Sequence, residues 1–385
     1  ALAGIWYLAI YMLGFGFSLG LQVVVARRNG EQHYSETGKT FFQGLFFLSG
    51  LAVFLCLLSK LFSPIILSRL IASAEVYHAV IDYLDGRIWG LLFSFPFLAL
   101  RSFLVGITHT KALNVAALTA VLVNISGNWL LIFHWDMGIA GAAIASSFAE
   151  ACSLAVLAIH VLRKMDKRLY GLSWSFDKGV LLHVFRVSVW SMFHSFIGVA
   201  PWFLFFVAIE HLGELQLAVA NILRSISTLF FVIVNSFAAT TGSLVSNLIG
   251  ADERGQVFPL CNRVIRLGYA IGFPLIALAL IFHQSVIDVY TDNPVIVQTS
   301  WLPFVVMLLN YVFALPGYVY MNAVTGTGAT RTAFILQATT IAAYLLYLWG
   351  LSHCDVPLAV YWTVEYLFVI GLGVQSVIYL KHKHY

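Results

Sequence analysis

The chain has 385 residues, 61% hydrophobic and 10% charged, with a net charge of +4 and a mean hydropathy of +0.90. Soluble domains run near 45–50% apolar and roughly a quarter charged, so 21 basic and 17 acidic side chains against 31 Phe cannot cover a water-facing surface. At roughly 20 residues per crossing, the length holds about eleven or twelve membrane spans and leaves no sizeable soluble domain. Apolar runs between polar punctuation predict eleven spans, over 4–26, 41–62, 84–107, 112–134, 137–162, 182–209, 216–248, 259–283, 297–324, 332–352 and 357–380. Runs such as LAVFLCLLSKLF (51–62) are continuously apolar. Barrel strands would alternate instead, so the fold class is an all-α polytopic membrane protein.

Basic side chains set the orientation. With the first span running inward from outside, sixteen Lys and Arg fall on the inner side, from Arg27 and Arg28 to Lys381 and Lys383. Lys60, Arg69 and Arg87 fall outside, while Arg101 and Arg224 lie within helices. That asymmetry obeys the positive-inside rule, so the net charge says nothing of nucleic acid. Cys56, Cys152, Cys261 and Cys354 are too scattered for a zinc site or a disulfide framework. No P-loop, HExxH or GxSxG motif occurs, which removes ATP-driven transport in cis and leaves no sign of an enzyme, a metal site or a cofactor.

The two halves match at a single shift of 220 residues. Gly30 aligns with Gly250, Pro96 with Pro316, Gly106 with Gly326, Thr110 with Thr330, and Lys111 with Arg331. A duplicated helical unit is a common transporter plan, with the substrate path between repeats. Residue 1 then corresponds to Asn221, inside the second helix of the second half. The shift therefore predicts about 40 further residues, one helix and a loop, ahead of residue 1. The expected organisation is an N-terminal lobe at 1–163, a basic cytoplasmic linker at 164–179 and a C-terminal lobe at 180–385.

Four segments carry a family resemblance: GFGFSLGLQVVVARRNGE (14–31), NISGNWLLIFHWDMGIAGAAIAS (124–146), AVANILRSISTLFF (218–231) with SLVSNLIGA (243–251), and TGTGATRTA (325–333). The chain resembles the multidrug and toxic compound extrusion (MATE) transporters over nearly its whole length. That likeness implies two pseudo-symmetric bundles of six plus six helices, eleven of them present here. It also implies a secondary active exporter, driven by an inward H+ or Na+ gradient and working by alternating access on amphiphilic or cationic organic compounds. The expected setting is the cell membrane, a bacterial inner membrane, as a monomer among lipids. A flippase for a lipid-linked saccharide is the alternative within the superfamily.

Polar groups at membrane depth are costly and therefore candidates for function. Asn124 and Asn128 share one helix face. The resemblance sets them in a coupling cluster with Ser146 at the family's hydroxyl position, and Glu150 is the further candidate for cation or proton coupling; hydrogen bonding to neighbouring helices is the other reading of the two Asn. Some family members have Asp where Asn128 stands. The family's second-lobe sodium acids align with Gly198 and Ala314, so protons are expected over sodium. Glu150 and Glu365 are the carboxylates well inside spans. At 1.5 Å per residue, Glu150 and Arg101 lie roughly 20 Å below the outer face, with Glu365 and Arg224 at roughly 13 and 15 Å. These depths predict two ion pairs, Arg101–Glu150 and Arg224–Glu365. Phe193, His194, Phe196, Trp202, Asn235 and Asn310 are the candidate lining of a substrate cavity, whose aromatic faces suit organic cations. Helix kinks are expected at Pro96, Pro201, Pro274 and Pro316.

Overall fold

Without water to hydrogen-bond the backbone, an apolar run in lipid must satisfy its own N–H and C=O groups, and the helix does so. The computed structural model describes all residues except 1, 71–73, 199 and 384, and among these there is no strand. The helices are α1 (Leu2–Gly30), α2 (Tyr34–Leu70), α3 (Ala74–Arg87), α4 (Leu91–Gly106), α5 (Lys111–Asn128), α6 (Gly138–Lys164) and α7 (Lys178–Ile197). They continue with α8 (Ala200–Glu210), α9 (Glu214–Gly250), α10 (Val257–Ile281), α11 (His283–Asp288), α12 (Pro294–Gly326), α13 (Thr330–Ser352), α14 (Leu358–Tyr361) and α15 (Thr363–His382). Eleven stretches are long and apolar enough to cross a membrane, and each overlaps one predicted span. The protein is multi-pass.

Four spans are interrupted where continuous helices were expected, the third span by the tighter turn Ile88–Gly90 between α3 and α4. The sixth breaks between α7 and α8 beside Gly198 and Pro201; proline has no N–H to give and its ring clashes with the preceding turn. The last breaks at Trp362, between α14 and α15. The fourth ends in a wider π-turn over Trp129–His134. Pro96, Pro274 and Pro316, by contrast, lie inside single helices.

The chain divides into two compact units, residues 1–196 and 197–385. The division falls at the end of α7, which packs with the first unit. Gly16 and Gly20 on α1 account for it, because they let the backbone of α7 approach at Met192 and Ser188 where any Cβ would collide. In the first unit, Phe17 stacks on Phe47 at 4.2 Å and Phe41 meets Phe103 at 4.9 Å, joining α1, α2 and α4. α5 lies along α6. The linker is fastened to this unit: buried Gln43 donates to Ser175 O at 2.7 Å and accepts from Asp177 N at 3.1 Å. In the second unit α12 is central, touching α9, α10, α13 and α15. Gly317 and Gly373 let α12 and α15 meet backbone to backbone.

The 220-residue shift is visible in the helix ends. α1 and α9 end at Gly30 and Gly250, and α4 and α12 at Gly106 and Gly326. After the first pair, Gln32 and Asp252 adopt left-handed φ angles of 59° and 60°. Equivalent bonds close these turns, His33 N to Arg28 O at 3.0 Å and Glu253 N to Leu248 O at 2.8 Å. After the second pair, Thr108 and Gly328 are left-handed at 62° and 85°, with N–H bonds to Val105 O and Thr325 O.

Between α10 and α12, outside the spans, His283 is 7% exposed; its Nε2 is 3.1 Å from Ser300 Oγ and its ring packs on Trp301 and Phe304. Burial pushes this imidazole below its usual 6.5, against a smaller opposing pull from Asp288. The unfolded chain therefore binds the proton first, so the contribution is full above about pH 6.5 and is lost as pH falls. The melting temperature of the purified protein is expected to drop between about pH 7.5 and pH 5.5, and His283→Gln to flatten that drop. An equal slope in both proteins would show that another group is responsible.

Candidate functional site

Polar side chains gather between equivalent helices in each unit. In the first, the i, i+4 spacing of Asn124 and Asn128 places both amides on the α5 face toward α6. Asn128 Nδ2 donates to Asn124 Oδ1 at 3.1 Å, Asn124 Nδ2 to Ser146 Oγ at 3.0 Å, and Ser146 Oγ to Ala142 O at 2.9 Å. The three residues expected together are together. Every donor in this relay points the same way and the relay ends on Ala142 O, while at its head the buried Asn128 Oδ1 has no hydrogen-bond partner. A buried orphan acceptor is costly.

One turn from Ser146, Glu150 makes a bidentate pair with Arg87, at 2.9 Å (Nη1–Oε2) and 2.6 Å (Nη2–Oε1). Tyr7 OH reaches Oε2 at 3.5 Å, and the guanidinium lies 3.9 Å from the Tyr7 ring centroid. Ser147 donates to Gly86 O. Gly90 makes room for the pair, because a Cβ there would overlap Arg87 and Glu150.

Both expected ion pairs are thereby corrected. Arg87, read as an outer-side charge, takes Glu150, because α3 ends at Arg87 and the short turn Ile88–Gly90 aims that side chain at α6. Arg101 instead lies on α4 with its guanidinium 5.8 Å from the Phe15 ring, and its Nη1 has no hydrogen-bond partner. Arg224 is exposed and sits 5.2 Å from the Phe206 ring. Glu365 is 7% exposed and accepts from Tyr344 OH at 3.1 Å, and among the described residues it makes no ion pair. Equal depth does not bring two side chains to the same side of their helices.

Trp202, Asn310 and Glu365 do converge. With Ala314, Tyr318 and Trp362 they line a cavity of about 60 Å³ inside the second unit. Asn235 is exposed on α9, outside that lining. Phe193 and Phe196, each 50% exposed, and half-buried His194 lie on α7 in the first unit. Sequence reading missed Arg87, Tyr7, Gly90 and Tyr344. For Tyr344 the signal was present: the shift of 220 lands on it from Asn124. Among the described residues, no three His, Cys, Asp or Glu side chains gather as a metal site, and the four cysteines are free.

A duplicated array of spanning helices, with polar groups held between equivalent helices of each repeat, is the architecture of a secondary transporter. The MatE family model matches residues 2–130 and 191–348, and the chain belongs to that family of transporters. It is 26% identical to the probable multidrug resistance protein NorM of Photorhabdus laumondii, over 80% of this chain and 69% of that protein. With the multidrug resistance protein NorM of Vibrio cholerae the identity is 24%, over 77% of this chain and 66% of the relative. Among solved structures, a multidrug resistance MATE family transporter of the MOP superfamily in an outward-facing conformation superposes with a TM-score of 0.89 at 17% identity. A MOP superfamily transporter from Pyrococcus furiosus, described by a reverse polarity of its binding pocket, also gives 0.89 at 17%. Each superposition covers 98% of this chain and 85% of the other.

Proposed function

We propose that this protein is a secondary active multidrug exporter, a monomer of the bacterial inner membrane that antiports amphiphilic or cationic organic compounds against inward H+ or Na+. The observation that carries this reading is the pair of polar clusters, one between α5 and α6 and one between α13 and α15, at equivalent places in a duplicated fold. The relatives' description as multidrug resistance proteins supports the substrate class. A cation entering one cluster drives alternating access only through its differential affinity for the inward- and outward-open states. The relay Asn128–Asn124–Ser146 offers a place for it in the first unit.

Ethidium accumulation in inverted vesicles tests the reading under imposed pH and sodium gradients. The expected result is accumulation that rises with at least one gradient and collapses when both are dissipated. Accumulation indifferent to both sinks the antiport. One feature favours a lipid-linked anionic substrate instead, the half-buried Arg101 with its buried, unpartnered Nη1. Flipping of a lipid-linked saccharide in the same vesicles, without ethidium uptake, would be its signature.

A further inference from the structure

The linker at 164–179 climbs one face of α2. Tyr34, Gly38, Phe42 and Phe46 stand four residues apart and so share that face. Tyr170 packs edge-on against Tyr34 at 5.9 Å, and Gly38 lets the Tyr170 carbonyl come close, since a Cβ there would collide with it. Higher up, Gln43 holds the backbone of Ser175 and Asp177, and Trp174 lies 5.4 Å from Phe42 and 5.5 Å from Phe46. From Tyr34 to Phe46 is roughly 18 Å of helix, which brings the linker up to the apolar run of α2 that starts at residue 41.

Two chemistries meet on its outer surface. Trp174 and Phe176 are 78% and 67% exposed. Arg163, Lys164, Lys167, Arg168 and Lys178 are exposed and make no ion pair among the described residues. The neighbouring acids are engaged elsewhere. Asp166 accepts from the N–H groups of Arg168 and Leu169, Asp177 from those of Gly179 and Val180, and Glu31 and Glu36 both pair with Arg28. A positive inner side is what membrane topology asks for. Topology does not ask for two rings left mostly exposed beside the charges, a cost in water that becomes a gain at the headgroup boundary.

We propose that this face of the linker binds anionic phospholipids of the inner leaflet, with their phosphodiester headgroups among these five cations and the upper acyl chain against Trp174 and Phe176. Clusters of roughly four to eight Lys and Arg at the cytoplasmic end of a span recognise such headgroups, each cation adding to the attraction. A guanidinium holds a phosphate by two parallel bonds, an ammonium as a point charge. The linker is already fastened to α2 at Tyr170 and Gln43, so little order is lost on binding.

Purified full-length protein in bilayers of phosphatidylcholine tests this, with phosphatidylglycerol brominated high on its acyl chains added as the probe and tryptophan fluorescence as the readout. The part of the quench that disappears in Trp174→Phe belongs to that ring. At Trp174, brominated phosphatidylglycerol is expected to compete at least about fivefold better than brominated phosphatidylcholine. The preference should fall to within about twofold in Arg163→Gln/Lys164→Gln/Lys167→Gln/Arg168→Gln, and in the wild type as NaCl rises from about 0.05 to 0.5 M. Sodium phosphate and NaCl at equal ionic strength should lower it alike; a larger effect of phosphate would assign the cations to free phosphate and overturn the lipid. No quench belonging to Trp174, equal quenching by the two lipids, or a preference that survives the four substitutions overturns the surface. If the fourfold variant does not insert, Lys167→Gln/Arg168→Gln decides: a preference at least halved supports the surface, and an unchanged one overturns it. No arm involves transport, so this surface and the exporter reading stand or fall separately.

Discussion

Arg87→Ala is expected to lower the stability of the first unit by about 3 kcal/mol, in the range for breaking a largely buried ion pair by removing one partner. The guanidinium and carboxylate side chains are only 12% and 24% exposed, and both bonds are short. Deleting the cation leaves Glu150 with Tyr7 OH at 3.5 Å as its remaining donor. Lysine should recover little, since it offers a point charge where Glu150 is held by a two-pronged fork. The double variant Arg87→Met/Glu150→Leu is the informative control, because replacing both charges with apolar groups is often near neutral. Thermal melting in detergent would show a large drop for Arg87→Ala and recovery in the double variant. A drop equivalent to less than about 1 kcal/mol would mean that water already screens the pair. Gly90→Ala should reproduce much of the loss, as its methyl would overlap both partners.

The second large effect lies at the crossing of α9 and α12. A Cβ on Gly326 would fall on the carbonyl oxygen of Gly242, and that backbone cannot rotate away as a side chain can. Gly326→Leu should therefore abolish folded protein, and Gly326→Ala should cost about 2–3 kcal/mol, the upper range of overpacking. The equivalent Gly106 chiefly meets the Val25 side chain. Gly106→Ala is expected to cost only about 1 kcal/mol, because a side chain can yield. Monodisperse yield after solubilisation and melting temperature separate the two, and equal losses would refute the distinction.

The spans were legible because lipid imposes one backbone solution on any long apolar run. Their interruptions were less so. Pro201 was visible as a kink, but the break at Trp362 has no proline and lies between a short helix and a longer one. Asn124, Asn128 and Ser146 were found because helical spacing fixes which side chains share a face. The ion pairs failed because rise per residue gives depth but not azimuth. Arg101 faces the rings of α1, while Glu150 faces the end of α3. No local pattern could announce Arg87, 63 positions from its partner.

The corners that close the helices of the two units bear on what the two halves have in common. Gln32 and Asp252 share one φ, and Thr108 and Gly328 are both left-handed, though the residue types differ. Only one of the four is glycine, the residue that reaches that region without steric penalty. The side chains differ while the left-handed bend beneath them is shared. The likeness of the two halves is therefore carried more closely by the angles of these elbows than by the residue types that occupy them.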